Sequence, residues 1–183
     1  MLKKNIFIVL LLLFWVRTQA QEDNSVFQFL KLPFSSHAAA LGGENISIIE
    51  DDLTMAVHNP ALLSCVADKT LNLNYTLYIA GVNTASAAFS RVLGDRSTWA
   101  VTAQIVNYGT MKETTSENII TGTFSAKDMA FSGIYSYDLS DYWSGGVKAN
   151  LIYSNYDKFS SFAIGVDLSL IHISEPTRLA LIS

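Results

Sequence analysis

The feature that most limits what this chain can become is a two-residue rhythm that returns along residues 69–167. Leu71, Leu73, Tyr75, Leu77 and Ile79 stand opposite Asn72, Asn74, Thr76 and Tyr78. Trp99, Val101, Ala103 and Ile105 oppose Thr98, Ala100, Thr102 and Gln104. Met129, Phe131, Tyr135 and Tyr137 oppose Asp128, Ala130, Ser132 and Ser136. Trp143, Val147, Ala149, Leu151 and Tyr153 oppose Ser144, Gly146, Lys148 and Asn150. Phe162, Ile164 and Val166 oppose Ser161, Ala163, Gly165 and Asp167, and a weaker alternation covers Thr84–Val92. Side chains on a strand point alternately to its two faces, so six strands are expected, each with one apolar and one polar face.

The polar face carries the second constraint. It is built from Ser, Thr, Asn, Gln, Gly and Ala with few charges, whereas the outer face of a soluble sandwich usually carries Lys and Glu. Half of the chain is apolar and only 15% is charged. This pattern fits a wall with lipid on one side and a neutral, packed interior on the other. Lipid offers no hydrogen-bond partner to open backbone groups, so such a wall must be a closed barrel. Trp99, Tyr137, Trp143 and Tyr153 fall near strand ends, as interfacial aromatic girdles require. The expected fold class is therefore all-β: part of an antiparallel transmembrane β-barrel, with an N-terminal plug containing short helices.

Residues 1–20 read as a secretory signal peptide. Lys3 and Lys4 precede the apolar run Ile6–Val16, and Thr18-Gln19-Ala20 offers a small-residue cleavage site. The run is eleven residues and Arg17 ends it, against the roughly 20 residues that a spanning helix needs. Cleavage would remove Lys3, Lys4 and Arg17 and leave the rest more acidic. The chain already carries 12 basic against 16 acidic residues, which excludes a strongly basic nucleic-acid binder. One cysteine, Cys65, excludes a disulfide framework or a Cys-rich zinc site.

Residues 21–68 lack sustained alternation and are expected to form the plug. The reading places a short helix or coil at its start, a tight turn at Gly42-Gly43 and a short strand near Ile46–Ile49. A short helix capped by Asp51 or Asp52 follows, and Pro60 ends or restarts it. Among the connections, Gly94-Asp95-Arg96 and Leu139-Ser140-Asp141 read as tight turns, Ser154–Asp157 as intermediate, and Asn107 to Gly122 as a long polar loop. Short turns on one side and longer loops on the other are the habit of outer-membrane barrels.

Candidate chemistry resolves mostly into structure. Asp51-Asp52, next to Glu50, lacks the further oxygen donors of a calcium loop. His37 and His58 have no visible ligand partners. Ser64-Cys65 lies in no nucleophile elbow, which leaves Cys65 a small buried thiol. Gly42-Gly43 lacks the further glycines and the Lys of a phosphate loop. The tyrosines serve as girdle and packing groups. No catalytic, metal or cofactor constellation is identified. The informative motif is Asn59-Pro60-Ala61-Leu62, in which Asn can bond the local backbone and Pro can start a helical turn. With Gly42 and Gly43 it is the expected structural element of the plug.

Val26-Phe27-Gln28-Phe29-Leu30, Leu32-Pro33, His37-Ala38-Ala39-Ala40-Leu41-Gly42-Gly43 and Asn59-Pro60-Ala61-Leu62-Leu63 follow one another at short intervals. This block, with the strands to residue 167, resembles the PorQ family of the type IX secretion system of Bacteroidetes-type bacteria. That family lies within the PorV-like and FadL-like outer-membrane barrels. The Asn-Pro-Ala element also resembles the hatch motif of the FadL-like barrels. The resemblance implies a barrel of about fourteen strands, of which this chain would hold six. It implies a non-enzymatic protein of the cell outer membrane that needs no cofactor. Its partners would be membrane lipid and other secretion components, in particular the surface protein PorZ. The alternative it carries is a FadL-like channel for hydrophobic small molecules.

Residues 168–178, Leu-Ser-Leu-Ile-His-Ile-Ser-Glu-Pro-Thr-Arg, resemble the in-frame translation of a sequencing adapter. Residues 168–183 are therefore expected to be an artefact, and the strand pattern is read only to residue 167.

Overall fold

The computed structural model describes residues 27–43, 46–114, 116, 119–157 and 159–172. The leader at 1–20, Val26 and the segment 173–183 lie outside the described residues. The six strands are β1 (Leu71–Leu77), β2 (Asn83–Leu93), β3 (Ser97–Thr114), β4 (Ile120–Asp138), β5 (Trp143–Tyr156) and β6 (Phe159–His172). They form one antiparallel sheet in sequence order, and β1 and β6 are its two edges. Each strand pairs only with its chain neighbours, as expected when tight connections make antiparallel hairpins. The chain is thus mostly antiparallel sheet with a few short helices, consistent with an all-β partial barrel.

Register follows from the side-chain pattern, because a one-residue slip would move every side chain to the wrong face. Leu73, Ala87, Ala103, Phe131, Leu151 and Ile164 form one row across all six strands. The adjacent row on the other face is Asn72, Ala88, Thr102, Ser132, Asn150 and Gly165.

Residues 27–66 lie over that second face. Their regular parts are the 3-10 turns Gln28–Lys31, Met55–Val57 and Pro60–Cys65 and one helix, α1 (Ser36–Ala40). Leu53, Met55, Ala56, Leu62 and Leu63 are fully buried. Phe34, Leu53, Ala56, Val57, Leu63 and Val66 pack on Ala88, Ala100 and Ile134 of the sheet. Phe29 packs on Val106, Ala130 and Ile152. The core is therefore a contact between an irregular N-terminal segment and the small-residue face of a sheet.

Several boundaries differ from the sequence reading. No strand forms at residues 46–49; the chain bends there, and Ile46 and Ile49 are exposed. A strand needs a neighbour to bond, and this stretch has none. Ile79 does not extend β1; it opens the turn Ile79–Gly81, where Ala80 and Gly81 take positive φ. The expected loop from Asn107 to Gly122 is largely paired strand. Thr110–Thr114 runs against Ile120–Ser125 after a register shift beside Gly109, whose φ is 75°. Its polar residues mark solvent exposure rather than loss of pairing, and Thr is at home in strands. The β5–β6 connection is also tighter than expected, since Tyr156 pairs with Phe159. Short turns thus occur at both ends of the sheet. Finally, β6 runs past residue 167 to His172, which pairs with Trp143. Leu168 and Leu170 continue its exposed side, so the alternation does not stop where the resemblance to an adapter begins.

Candidate functional site

The Asn59-Pro60-Ala61-Leu62 motif builds the seat of the N-terminal segment. Asn59 is the N-cap of the 3-10 turn Pro60–Cys65, and its Oδ1 accepts from Ala61 N at 3.3 Å. Pro60 sits at the first position of that turn, where its missing N–H leaves no partner unsatisfied. The Asn59 amide also donates to Ile46 O at 2.6 Å, which ties down the bend that failed to form a strand. Asn59, Pro60, Ala61 and Leu62 are all buried.

The wall answers with a glycine. A Cβ on Gly146 of β5 would lie 2.3 Å from Ala61 N and from the Pro60 carbonyl carbon. Both are backbone atoms, so the turn rests directly on the strand and no side chain fits between them. The sequence reading placed Gly146 on the polar face but gave it no role. A glycine inside a strand signals close backbone approach, and that signal was available.

Gly42 and Gly43 close α1. Their φ values are 98° and 105°. Gly43 N donates to Ala38 O at 2.9 Å and Gly42 N to Ala39 O at 3.1 Å, the paired bonds of a Schellman cap. They form the expected tight turn, away from the Gly146 contact. At the other end of α1, Ser35 Oγ accepts from Ala38 N at 3.0 Å and bonds Thr54 Oγ1 at 2.9 Å in the core.

The two aspartates act differently from the capping role assigned to them. Thr54, not an aspartate, is the N-cap of Met55–Val57, and its side chain makes no capping bond there. Asp52 Oδ1 accepts from the Thr54 N–H and from the Thr54 hydroxyl, both at 2.8 Å. Its Oδ2 meets His37 Nδ1 at 2.7 Å. Asp51 Oδ1 accepts from Ala67 N at 2.7 Å. The hydrogen bond to Asp52 raises the His37 pKa above its usual 6.5 against partial desolvation, and the nearby Asp52 and Glu50 charges add to the rise. Burial alone would raise Asp52, but the bonds from His37 and Thr54 outweigh it and hold the carboxyl below its usual value. Burial pushes the Cys65 thiol up from its ordinary value. No group of three His, Cys, Asp or Glu side chains is gathered as a metal site would need, among the described residues.

Among the described residues, polar bonds tether the segment to the sheet. Ser86 Oγ donates to Phe34 O at 2.6 Å, Lys148 Nζ donates to Val57 O at 2.8 Å, and Ala61 N donates to Ser169 Oγ at 2.7 Å. Between segment and sheet lies a chamber of about 320 Å³. A Ser132–Asn150–Asp167 chain of hydrogen bonds, each 2.7 Å, crosses its floor.

The opposite face of the sheet is the larger surface. Leu73 is 69% exposed, Phe131 52%, Leu151 49% and Ile164 68%, while Thr102 and Asn150 on the covered face are each 6% exposed. On β5 the outward series runs Trp143, Gly145, Val147, Ala149, Leu151, Tyr153 without a charge, and all but the half-buried Gly145 are exposed. Arg91 and Lys127 are the charged outward residues of β2, β3 and β4 between the tight turns and Asn107. Arg91 lies in register with Trp99 and Tyr135, and Lys127 lies beyond the Tyr153 row. Polarity is thus inverted: the covered face is polar and the exposed face is apolar. Soluble monomers rarely expose a continuous apolar patch of more than a few hundred Å².

No helix among the described residues is long and apolar enough to cross a membrane. No protein family matches the chain, and no curated protein does.

Proposed function

We propose that this chain is part of the wall of an outer-membrane β-barrel, with residues 27–66 as its plug. It acts without catalysis as an anchor in the type IX secretion and surface-attachment machinery. The observation that carries the membrane reading is the inverted polarity of the sheet. From Trp143 to Tyr153 the exposed side of β5 spans ten residue steps, about 33 Å of strand at roughly 3.3 Å per residue. At the strand tilt of about 40° usual in such barrels, that is an apolar band about 25 Å tall with an aromatic residue at each end. Arg91 lies two residues from the end of β2, in register through Trp99 and Tyr135 with Val147 of β5, and its long side chain can carry the charge toward the headgroups.

The secretion role rests on the resemblance of the N-terminal block and the Asn-Pro-Ala turn to PorQ-like proteins. In that role the partner would be a surface protein of the PorZ kind. The FadL-like channel is the second reading, favoured by the likeness of Asn59-Pro60-Ala61 to a hatch motif.

Deletion of the gene in its host separates the two. The anchor reading expects secretion cargo to be lost from the cell surface while fatty-acid uptake is unchanged. Loss of uptake with normal cargo retention would reject it in favour of the channel.

A further inference from the structure

The chamber between plug and wall holds polar groups that the anchoring role does not use. Gln104 of β3 is 5% exposed and lines the chamber, and its Nε2 has no hydrogen-bond partner among the described residues. Leaving a buried amide donor unsatisfied is costly. Lys148 lines the same chamber; its Nζ donates to Val57 O at 2.8 Å, and an ammonium carries three N–H groups. The third group is Asp167, the cross-strand partner of Lys148. Its Oδ2 accepts from Asn150 Nδ2, and a carboxylate has further acceptor capacity. Gly165 lines the floor, and Leu30 and Phe34 of the plug contribute an apolar side.

We propose that this chamber binds a small zwitterion of the α-amino-acid class. Its carboxylate would face Gln104 Nε2 and Lys148, its ammonium Asp167, and its apolar side chain Leu30 and Phe34. The charges decide the class. A simple anion would meet the Asp167 carboxylate, and a simple cation would meet the Lys148 ammonium. A purely apolar guest would leave the Gln104 donor unmet and desolvate both charges, which is costly. A zwitterion satisfies all three groups at once. The volume of about 320 Å³ is at the lower end of small-molecule sites, which suits a ligand of a few carbons. The inference does not depend on which partner the barrel anchors.

The test is calorimetric titration of the purified full chain in detergent micelles with three probes of similar shape: L-leucine, 4-methylpentanoate and 3-methylbutylamine. Saturable binding of L-leucine is expected, with each singly charged analogue at least tenfold weaker. Gln104→Leu should weaken L-leucine at least fivefold, while the rate at which Cys65 reacts with a thiol reagent stays unchanged, which establishes that the plug is still seated. Lys148→Met should weaken it further. Absence of saturable binding by any probe would overturn the proposal and leave the chamber to water. Binding of 4-methylpentanoate as tight as that of L-leucine would overturn it in favour of an anion site.

Discussion

Gly146 is the residue on which the plug is seated. A Cβ there meets backbone atoms at 2.3 Å, whereas one on Gly133 of the neighbouring strand meets nothing within 4 Å. Gly146→Ala should therefore lift the Pro60–Cys65 turn, and Gly133→Ala should not. Cys65, at the end of that turn and half-buried, is a native reporter. Its reaction with a water-soluble thiol reagent should accelerate several-fold in Gly146→Ala and stay unchanged in Gly133→Ala. Equal rates in the two variants would show that the turn does not rest on β5. Asn59→Ala removes both the cap on Ala61 and the bond to Ile46 O, and should cost about 1–2 kcal/mol in thermal or denaturant unfolding. Gly43→Ala should cost about 1–2 kcal/mol through its positive φ alone, since the space around it is open.

The His37–Asp52 contact makes a pH prediction at the same scale. A raised His37 contributes stability that is fully present below its unfolded value of 6.5 and is lost as pH rises through the higher folded value. A lowered Asp52 contributes stability that is present above its unfolded value of 3.8 and is lost as pH falls through the lower folded value. The contact is therefore fully present between those two unfolded values. In an NMR titration the His37 midpoint should lie above 6.5, and Asp52→Asn should bring it down. A midpoint unmoved by Asp52→Asn would contradict the geometry.

At the scale of elements, what was legible in the sequence is what alternation can encode. The strand face of a residue depends only on its parity, so Leu71, Val101, Leu151 and Ile164 could be placed outward without any knowledge of their neighbours. Strand ends were less legible. Thr110–Thr114 and Ile120–Thr121 are exposed although paired, and composition reads solvation rather than pairing. Which distant segments would meet was not legible: the strand glycine at 146 signals a close approach without naming what approaches. Nothing near Pro60 announces Gly146, and nothing near Val57 announces Lys148. The extended β3–β4 ribbon carries its own prediction. Met111–Thr114 and Ile120–Phe124 pair only with each other among the described residues. Replacing residues 110–124 with a short Asn-Gly turn should thus leave the unfolding midpoint within a few degrees of the parent. A large drop would mean that the ribbon supports the sheet.

At the scale of the whole molecule, two facts act together. The sheet has open edges at β1 and β6, and its uncovered face is apolar. Open edges invite intermolecular pairing, and a large apolar face adds to it. The chain should therefore aggregate when refolded in buffer and remain dispersed in detergent micelles. A monodisperse, folded monomer in buffer would be inconsistent with a lipid-facing surface. The most direct test of that surface is a cysteine scan of β3 and β5 in a Cys65→Ser background, each cysteine carrying an environment-sensitive fluorophore. With the protein in bilayers, brominated lipid should quench the label at positions 101, 103, 149 and 151, and spare it at 102 and 150. Quenching that ignores this alternation, or outward positions reached by a water-borne quencher instead, would contradict the account.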